Sequence, residues 1–412
     1  MLEILGKQAK AAAAVLGQAT RAQKDAALLS IADALVSSTA TILAANEQDL
    51  QNGKNAGMSD ALLDRLRLTE ARISGMAQGV REVAAAADPV GKVLWGETRP
   101  NGLQIRKISV PLGVIAVIFE ARPNVTADAA ALCLKAGNAV ILRGGKEAIR
   151  SNTAIADCMR EAAAAAGLPA DCIQLVADTT RESANALMKM NEYIDVLIPR
   201  GGAGLIRAVV QNATVPVIET GTGNCHVYVD AAADLDMAAK IVYNAKVSRP
   251  SVCNACESLL IHRSVADAAI PLLCGKLREA NVEIRGDETV CRLCPDAVPA
   301  TPEDYAKEFL DYIISVKVVD SLDEAVRHIA ENGTGHSECI VTENYAAAQA
   351  FLSRVDAAAV YVNASTRFTD GGEFGFGAEI GISTQKLHAR GPLGLANLTA
   401  EKYIILGNGQ VR

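Results

Sequence analysis

The sequence predicts an α/β protein with two doubly wound domains, and three observations support this fold class. From residue 114 onward, short apolar runs alternate with longer helical stretches, as expected for parallel strands buried on both faces. The strand–helix pattern starts again after residue 235, which indicates a second domain of the same class. The chain also has 412 residues, of which 50% are apolar, and this is more than one ordinary core accommodates.

The segment before the first strand is predicted to be helical up to about residue 90. Residues 26–35 carry apolar side chains at helical spacing, with few helix breakers. The pair Asn52-Gly53 and residues 87–91 are predicted to end helices. A β-hairpin is expected next, across residues 98–108, because Asn101-Gly102 precedes alternating apolar and polar residues.

The two α/β segments yield specific element predictions. In the first, strands are predicted at residues 114–119, 139–142, 173–176, 194–198 and 215–218, with a helix at 146–166. In the second, strands are predicted at 257–262, 312–319 and 339–341, with helices at 265–280 and 322–329. A glycine-rich segment at residues 370–377 is expected to precede a helix and a last strand at 403–406.

Composition and charge exclude several classes of protein. A net charge of −7 without a polybasic run argues against nucleic-acid binding, which requires a basic surface. The N-terminus carries early charges and no stretch of 18 apolar residues occurs, so we expect neither a secretion signal nor a membrane span. The ten cysteines lie mostly within apolar segments, which indicates reduced thiols and a cytoplasmic location.

The first candidate for chemistry is Cys253, which follows a proline-containing turn and precedes an apolar strand. Lys246 and Arg249 lie close in sequence and would favour its reactive thiolate. Cys253 and Cys256 also form a Cys-x-x-Cys pair, and a second pair lies at residues 291–294. The gap between the pairs is wider than in zinc sites, and no histidine pair completes a site, so no metal is expected. A redox dithiol and purely structural thiols stay open as alternatives.

Glycine-containing turns at two strand ends are candidates for binding phosphate groups. Glycine lets the backbone approach a ligand, and the following helix N-terminus favours anions. Ordinary strand–helix turns with solvated charges are the alternative for both. The segment at residues 220–226 is also glycine-rich but does not fit a dinucleotide fingerprint, and His226 is expected to be structural. The two turns consist of Arg143, Gly144, Gly145 and Lys146, and of Arg200, Gly201 and Gly202.

Longer motifs extend through most of the chain. They lie at residues 111–124, 135–148, 225–230, 253–257 and 374–386, and include FEARPN, RGGKEA, CHVYVD and FGFGAEIGISTQK. Through these motifs the chain resembles the aldehyde dehydrogenase superfamily, and within it the reductases that act on γ-glutamyl phosphate. The resemblance covers nearly the whole sequence.

The resemblance implies an aldehyde dehydrogenase-like fold with a cofactor-binding domain, a catalytic domain and a small β element for oligomerisation. It also implies a homodimer or homotetramer. The expected bounds are residues 1–96 and 111–228 for the cofactor-binding domain, 229–375 for the catalytic domain, 97–110 and 400–412 for the oligomerisation element, and 376–399 for a return to the cofactor-binding domain.

The implied activity is the NADPH-dependent reduction of L-glutamyl 5-phosphate to L-glutamate 5-semialdehyde and phosphate, on the route to proline. Cys253 is then the nucleophile that forms a thioester, and its backbone N–H stabilises the oxyanion with Asn254 as a helper. Glu219 is not assigned the role of a hydrolytic base, because a reductase needs none. Glutamate 5-kinase is a candidate partner, since the acyl phosphate is labile.

The resemblance also implies binding residues for the cofactor and the substrate. In superfamily members that use NAD, a lysine and an acidic residue stand where this chain has Arg143 and Lys146, and this favours NADP⁺ and NADPH. The implied cofactor-binding residues are Arg143, Gly144, Gly145, Lys146, Arg200, Gly201, Gly202 and Glu308, and the implied substrate-binding residues are Arg122, Asn124 and Arg367.

Two other functions compete with this one. A non-phosphorylating aldehyde dehydrogenase or an acyl-CoA reductase would have the same fold, and phosphate dependence of the reverse reaction separates them from the phosphorylating enzyme. A thiol-rich binding protein without catalytic activity would tolerate the replacement of Cys253.

Overall fold

A computed structural model of the chain describes residues 1–412, apart from the side chain of residue 61. The chain divides into two compact α/β units, so the predicted fold class is confirmed. The first unit comprises Met1–Thr220, Gly375–Gly381 and Leu393–Arg412, and the second comprises Gly221–Phe374 and Ile382–Pro392.

The first unit begins with five helices: α1 (Leu2–Leu16), α2 (Arg21–Ser37), α3 (Thr39–Asn55), α4 (Asp60–Leu66) and α5 (Glu70–Ala85). Helix α2 begins with a reciprocal capping box between Thr20 and Gln23, and Leu28 and Ile31 are fully buried. The helix end predicted at Asn52-Gly53 is wrong by a few residues. Gly53 is buried within α3, where packing near the Leu63 side chain outweighs its low helix propensity.

No single described helix is long and apolar enough to cross a bilayer. Helices α2 and α3 meet that criterion only when taken together, as a pair bent by 65°.

A hairpin follows the helices, formed by β1 (Val93–Thr98) and β2 (Gln104–Pro111). Gly102 has a φ of +87°, which explains the Asn-Gly signal at this turn. The hairpin is thereby confirmed, although its first strand begins at Val93 rather than at the predicted residue 98.

The central sheet of the first unit has four parallel strands in the order β5-β4-β3-β6. All six residues of β3 are buried, which is why a continuous apolar run predicted this strand. The predicted strand at residues 215–218 is reduced to one bridge between Leu197 and Val217, because Pro216 has no N–H to extend a ladder. The elements are β3 (Val114–Phe119), α6 (Asn124–Lys135), β4 (Ala139–Arg143), α7 (Ile149–Ala165), β5 (Ile173–Leu175), α8 (Arg181–Leu187), β6 (Val196–Arg200) and α9 (Ala203–Asn212).

The second unit contains a sheet of seven parallel strands in the order β10-β9-β11-β8-β7-β12-β13. Its elements are β7 (Cys225–Val229), α10 (Leu235–Val247), β8 (Cys256–His262), α11 (Ala266–Glu279), β9 (Glu283–Gly286), α12 (Glu288–Leu293), β10 (Val298–Pro299), β11 (Ile313–Val319), α13 (Leu322–Asn332), β12 (Ser337–Val341), α14 (Tyr345–Arg354) and β13 (Ala359–Val362). Strand β7 pairs with β8 and β12, so the second unit begins at Gly221 and not at the predicted residue 229.

The C-terminal part of the chain contributes to both units. Strands β14 (Ile382–Ser383) and β15 (Gly391–Pro392) pair with each other and belong to the second unit, which divides the predicted return segment at residues 376–399. The α-helix expected there is replaced by these strands and a short 3₁₀ turn, because glycines and a proline interrupt the segment. The last strand, β16 (Thr399–Leu406), pairs antiparallel with β2 along its whole length.

Candidate active site

Cys253 lies in a turn that leads directly into the buried strand β8. The turn is closed by a hydrogen bond from Ala255 N to Val252 O at 3.1 Å, and the Cys253 side chain is half-buried. The predicted position at an element end is therefore correct, and a side chain in such a turn remains reachable while its backbone is held.

Gly223 lies against the backbone of this turn so closely that no other residue fits. A Cβ atom at Gly223 would lie 1.4 Å from the carbonyl oxygen of Cys253. Gly223 N donates to Glu308 Oε1 at 2.7 Å, and burial raises the pKa of the Glu308 carboxyl. Glu308, predicted as a cofactor-binding residue, thus belongs to the second unit and holds the segment that supports Cys253.

Asn254 and Arg367 are hydrogen-bonded to each other beside the nucleophile. The Asn254 amide donates to Thr369 O at 2.9 Å and to Arg367 O at 3.3 Å. The Arg367 guanidinium donates to Asn254 Oδ1 and to Ser248 Oγ, the latter at 3.1 Å. Because both amide hydrogens of Asn254 are engaged, the expectation that it assists the oxyanion is corrected to a positioning role.

The expectation that Lys246 favours the thiolate of Cys253 is wrong. Lys246 and Glu257 are both fully buried and form an ion pair, with 2.5 Å between Nζ and Oε2. Burial raises the pKa of Glu257 to about 7, although the lysine opposes this shift. The second Glu257 oxygen accepts from Leu310 N at 3.0 Å, so the pair fixes the loop that carries Glu308.

The Cys-x-x-Cys pairs do not form a metal site. Cys256 is buried within β8, and burial raises the pKa of its thiol to about 12, as expected for a core residue. Cys294 is buried and accepts a hydrogen bond from Arg278 at 2.9 Å. His226 is buried and contacts Glu338, with 3.0 Å between Nδ1 and Oε2. Among the described residues, no three His, Cys, Asp or Glu side chains are arranged to hold a metal ion.

The two predicted phosphate-binding turns lie at the carboxyl edge of the first unit's sheet. Strand β3 pairs with β4 through Ile118 and Arg143, and with β6 through Phe119 and Arg200. The turns therefore flank the end of β3, where the order of the strands reverses. In open α/β sheets this switch point is the usual place for a nucleotide.

Three of the four glycines in these turns have close neighbours that an added side chain would overlap, and Gly202 does not. A Cβ at Gly144 would lie 2.1 Å from Asn152 Nδ2, and one at Gly145 would lie 2.0 Å from Glu147 Oε1. At Gly201 it would lie 2.6 Å from Glu120 Oε2, and the same oxygen accepts from Gly202 N at 2.9 Å. Glycine at residues 144, 145 and 201 thus lets these side chains pack directly against the backbone of the turns.

Arg143 and Lys146 supply the positive charge of the first turn. Arg143 donates to Thr179 O at 2.7 Å and to Thr180 O at 3.0 Å, and burial lowers the pKa of its guanidinium. Its Nε is buried without a hydrogen-bond partner among the described residues. Lys146 is exposed. An unsatisfied donor and an exposed ammonium are suited to an anionic ligand.

Two of the predicted substrate residues lie at the same edge of this sheet. Arg122 is half-buried between β3 and α6, and Asn124 is the first residue of α6. Asn124 Nδ2 donates to Asp128 Oδ2 at 2.9 Å. Burial raises the pKa of Asp128 to about 6, and the hydrogen bond from Asn124 and the charge of Arg200 oppose this shift.

The predicted residues therefore form two groups. Arg122, Asn124 and both glycine turns belong to the first unit, whereas Cys253, Asn254, Glu308 and Arg367 belong to the second. Gly223 and Cys225 were not predicted to lie beside the nucleophile turn. The glycine-rich segment at residues 220–226 was the available signal for both.

Comparison with known proteins identifies relatives that match nearly the whole chain. Residues 2–292 match the aldehyde dehydrogenase family. The chain is 61% identical to the γ-glutamyl phosphate reductase of Clostridium novyi, over 98% of this chain and 97% of that one. It is also 61% identical to the enzyme of the same name from Moorella thermoacetica, over 99% and 97% of the two chains.

Solved structures show the same relationship. The crystal structure of γ-glutamyl phosphate reductase from Thermotoga maritima superposes with a TM-score of 0.98 at 47% identity, covering 100% of this chain and 99% of that one. An acetylating aldehyde dehydrogenase from Geobacillus thermoglucosidasius shares the fold at 20% identity, with a TM-score of 0.71 and coverage of 100% and 97%.

Proposed function

Because the chain belongs to the γ-glutamyl phosphate reductases of the aldehyde dehydrogenase family, we propose that it uses NADPH and a thioester on Cys253. The reaction is the reduction of L-glutamyl 5-phosphate to L-glutamate 5-semialdehyde and phosphate in proline biosynthesis. The observation that best supports Cys253 is the construction of its turn, which Gly223 approaches closely and which leaves the thiol half-buried.

Cys253 acts as a nucleophile on the acyl carbon. Its thiolate sulfur bonds to that carbon, and the bond to phosphate breaks, leaving a thioester and inorganic phosphate. A nicotinamide cofactor supplies the hydride that reduces the thioester carbonyl. The hemithioacetal then loses the Cys253 thiolate and releases the aldehyde, which cyclises to pyrroline-5-carboxylate.

The tetrahedral oxyanion requires a preorganised donor, and we assign this role to the backbone N–H of Cys253. The hydrogen bond from Ala255 N to Val252 O supports this assignment, because Val252 O belongs to the same peptide group as the Cys253 N–H. Phosphate leaves readily, so no general acid is required, and Glu219 is given no hydrolytic role.

The residues of the first unit suit a phosphorylated nicotinamide cofactor. The ammonium of Lys146 and the guanidinium of Arg143 would hold the 2′-phosphate of NADPH, a group that a carboxylate at residue 146 would repel. The backbone of Gly144, Gly145, Gly201 and Gly202 would lie against the remaining phosphates. Glu308 would contact a ribose hydroxyl through the carboxyl oxygen that does not bind Gly223.

Arg122, Asn124 and Arg367 are proposed to bind the substrate. Arg122 and Arg367 carry planar guanidinium groups, which match the geometry of a carboxylate or of an acyl phosphate. The Ser248 and Asn254 contacts orient Arg367, which reduces the entropy lost when an anion binds.

The proposal also includes the location of the enzyme, its oligomeric state and a partner enzyme. The enzyme is assigned to the cytoplasm, where its ten reduced cysteines are stable. It is proposed to form a homodimer or homotetramer. Direct transfer of the labile acyl phosphate from glutamate 5-kinase would protect the substrate from hydrolysis.

The reverse assay tests the proposed reaction. Semialdehyde, phosphate and NADP⁺ should yield NADPH, and the rate should depend on phosphate. Cys253→Ala should abolish turnover and leave NADPH binding intact, whereas Cys256→Ser should be mild. Turnover without phosphate would identify a non-phosphorylating dehydrogenase, turnover that requires coenzyme A would identify an acyl-CoA reductase, and an active Cys253→Ala enzyme would exclude the thioester.

A further inference from the structure

A second thiol, Cys225, lies directly behind the Cys253 turn. It begins strand β7, is fully buried, and its Sγ donates to the carbonyl oxygen of Cys253 at 3.1 Å. Burial raises the pKa of this thiol well above its ordinary value, so Cys225 keeps its proton at neutral pH. A protonated thiol is a weak donor, and the bond therefore requires the close approach that is observed.

His336 supports Cys225 from the other side. Its Nδ1 lies 3.6 Å from Cys225 Sγ and 2.8 Å from Ser337 Oγ. Burial lowers the pKa of His336 to about 4, so the ring is neutral. Nε2 is buried without a partner among the described residues, and an orphaned N–H is rarer than an orphaned acceptor. We therefore assign the proton to Nδ1, which donates to Ser337 and faces the sulfur.

Hydrogen bonds continue from Ser337 through Thr369 to Asn254, the residue after the nucleophile. Ser337 Oγ lies 2.6 Å from Thr369 Oγ1, and the Thr369 carbonyl accepts from the Asn254 amide at 2.9 Å. Thr366 Oγ1 donates to the carbonyl oxygen of Asn254 at 2.7 Å. Side chains from separate elements thus hold the consecutive carbonyl groups of Cys253 and Asn254.

We propose that Cys225 is a positioning residue for the reductase reaction, and that its thiol, supported by His336, fixes the Cys253–Asn254 peptide and thereby the nucleophile. This inference rests on the proposed role of Cys253. A displacement of the reacting sulfur by about 1 Å can cost a hundredfold in rate, so one weak hydrogen bond at this peptide affects turnover. Since Cys225 bonds to the turn and not to the substrate, its loss should lower kcat and leave KM nearly unchanged.

Three variants test the proposal in the reverse assay. Cys225→Ala removes the donor and should lower kcat about tenfold, with KM changed by less than about twofold. Cys225→Ser keeps a donor and should recover most of the lost kcat. Cys339→Ala is the matched control, because Cys339 is a buried thiol on the neighbouring strand β12 and its Sγ donates to Ile340 O rather than to Cys253 O. It should retain kcat, and melting temperatures should be compared for all three.

The outcomes are distinct. Full kcat in Cys225→Ala overturns the proposal, as does a Cys225→Ser enzyme that is no better than Cys225→Ala. An equal loss in Cys339→Ala would show that any core thiol matters, which also overturns it. If Cys225→Ala fails to fold, Cys225→Ser decides alone: near-normal kcat supports the proposal, and a tenfold loss contradicts it. Failure of the thioester mechanism itself is recognised separately, by an active Cys253→Ala enzyme.

Discussion

Gly223 is the single residue at which the smallest change should have the largest effect. A methyl group there would overlap the carbonyl of Cys253, and the obstacle is backbone that cannot rotate away. Gly223→Ala should therefore displace the nucleophile turn and lower kcat at least a hundredfold, while costing about 1–3 kcal/mol of stability. Steady-state kinetics and urea unfolding measure the two effects.

Gly275 provides the control for this substitution. It lies within α11 of the same unit, and a Cβ there would meet nothing within 4 Å. Gly275→Ala should keep full activity and raise stability slightly, since alanine is the better helix former. Normal kcat in Gly223→Ala would refute the close approach described for the turn.

At the scale of elements, the turn between β4 and α7 should determine the choice of cofactor. Lys146→Glu replaces an attractive charge with a repulsive one at a helix start. It should lower kcat/KM for NADP⁺ by about tenfold or more and change that for NAD⁺ much less. Initial rates with both cofactors, at fixed phosphate, measure this selectivity.

Lys7→Glu is the charge-matched control, because Lys7 is also exposed but lies on α1. This variant should leave the ratio of kcat/KM for NADP⁺ to kcat/KM for NAD⁺ unchanged. Equal efficiencies for NADP⁺ and NAD⁺ in the unmodified enzyme would already be incompatible with the proposed role of Lys146.

Helix α13 carries a histidine that should make stability depend on pH. Burial lowers the pKa of His328 to about 3, and the neighbouring His226 and Lys317 contribute. Below pH 6.5 the unfolded chain binds a proton that the folded chain does not. His328 therefore costs about 1 kcal/mol of stability over the first pH unit below 6.5, and about 1.4 kcal/mol over each further unit until the pH approaches 3.

His328→Asn removes this contribution. Between pH 6.5 and 5.5, the variant should lose about 1 kcal/mol less stability than the parent in urea unfolding. Between pH 8.5 and 7.5 the difference between the two proteins should stay constant, and this interval is the internal control. If the difference in unfolding free energy between the two proteins stays constant over both intervals, His328 binds its proton as readily in the folded protein as in the unfolded chain, and the prediction is wrong.

The elements also show what the sequence can and cannot predict. Strand β3 was predicted at its observed bounds, because burial on both faces leaves a continuous apolar run. Cys253 was located by its motif. The pairing of Lys246 with Glu257 was not predicted, since it depends on how α10 packs on β8, and neither residue type indicates a buried partner. The role of Cys225 depends likewise on the register of β7 against β8.

For the whole molecule, the three-stranded sheet of β1, β2 and β16 exposes large hydrophobic side chains on one face, around the Lys107–Glu401 ion pair. Lys107 on β2 pairs with Trp95 on β1 and with Tyr403 on β16, so the three side chains lie on the same face of the sheet. Ile405 lies two residues after Tyr403 and therefore points to the same face. Their exposed fractions are 45%, 57% and 60%. Such a face on an isolated chain is typical of a subunit interface.

The double variant Trp95→Lys and Ile405→Glu should convert the proposed oligomer to a monomer, because each subunit would bury charge at the interface. Light scattering after gel filtration measures the mass. Tyr345→Lys changes a side chain that is 78% exposed on α14, and it should leave the mass unchanged. An unmodified protein that is monomeric at micromolar concentration would rule out this interface.

The pairing of β2 with β16 has a consequence for synthesis on the ribosome. Strand β2 lies between β1 and β16, so the backbone groups on its second edge find hydrogen-bond partners only when β16 has joined the sheet. At the usual rate of elongation, the ribosome needs on the order of tens of seconds to make the intervening chain. During that time the nascent protein carries an open strand edge, which makes β2 a natural site for chaperone binding and for aggregation if translation stops early.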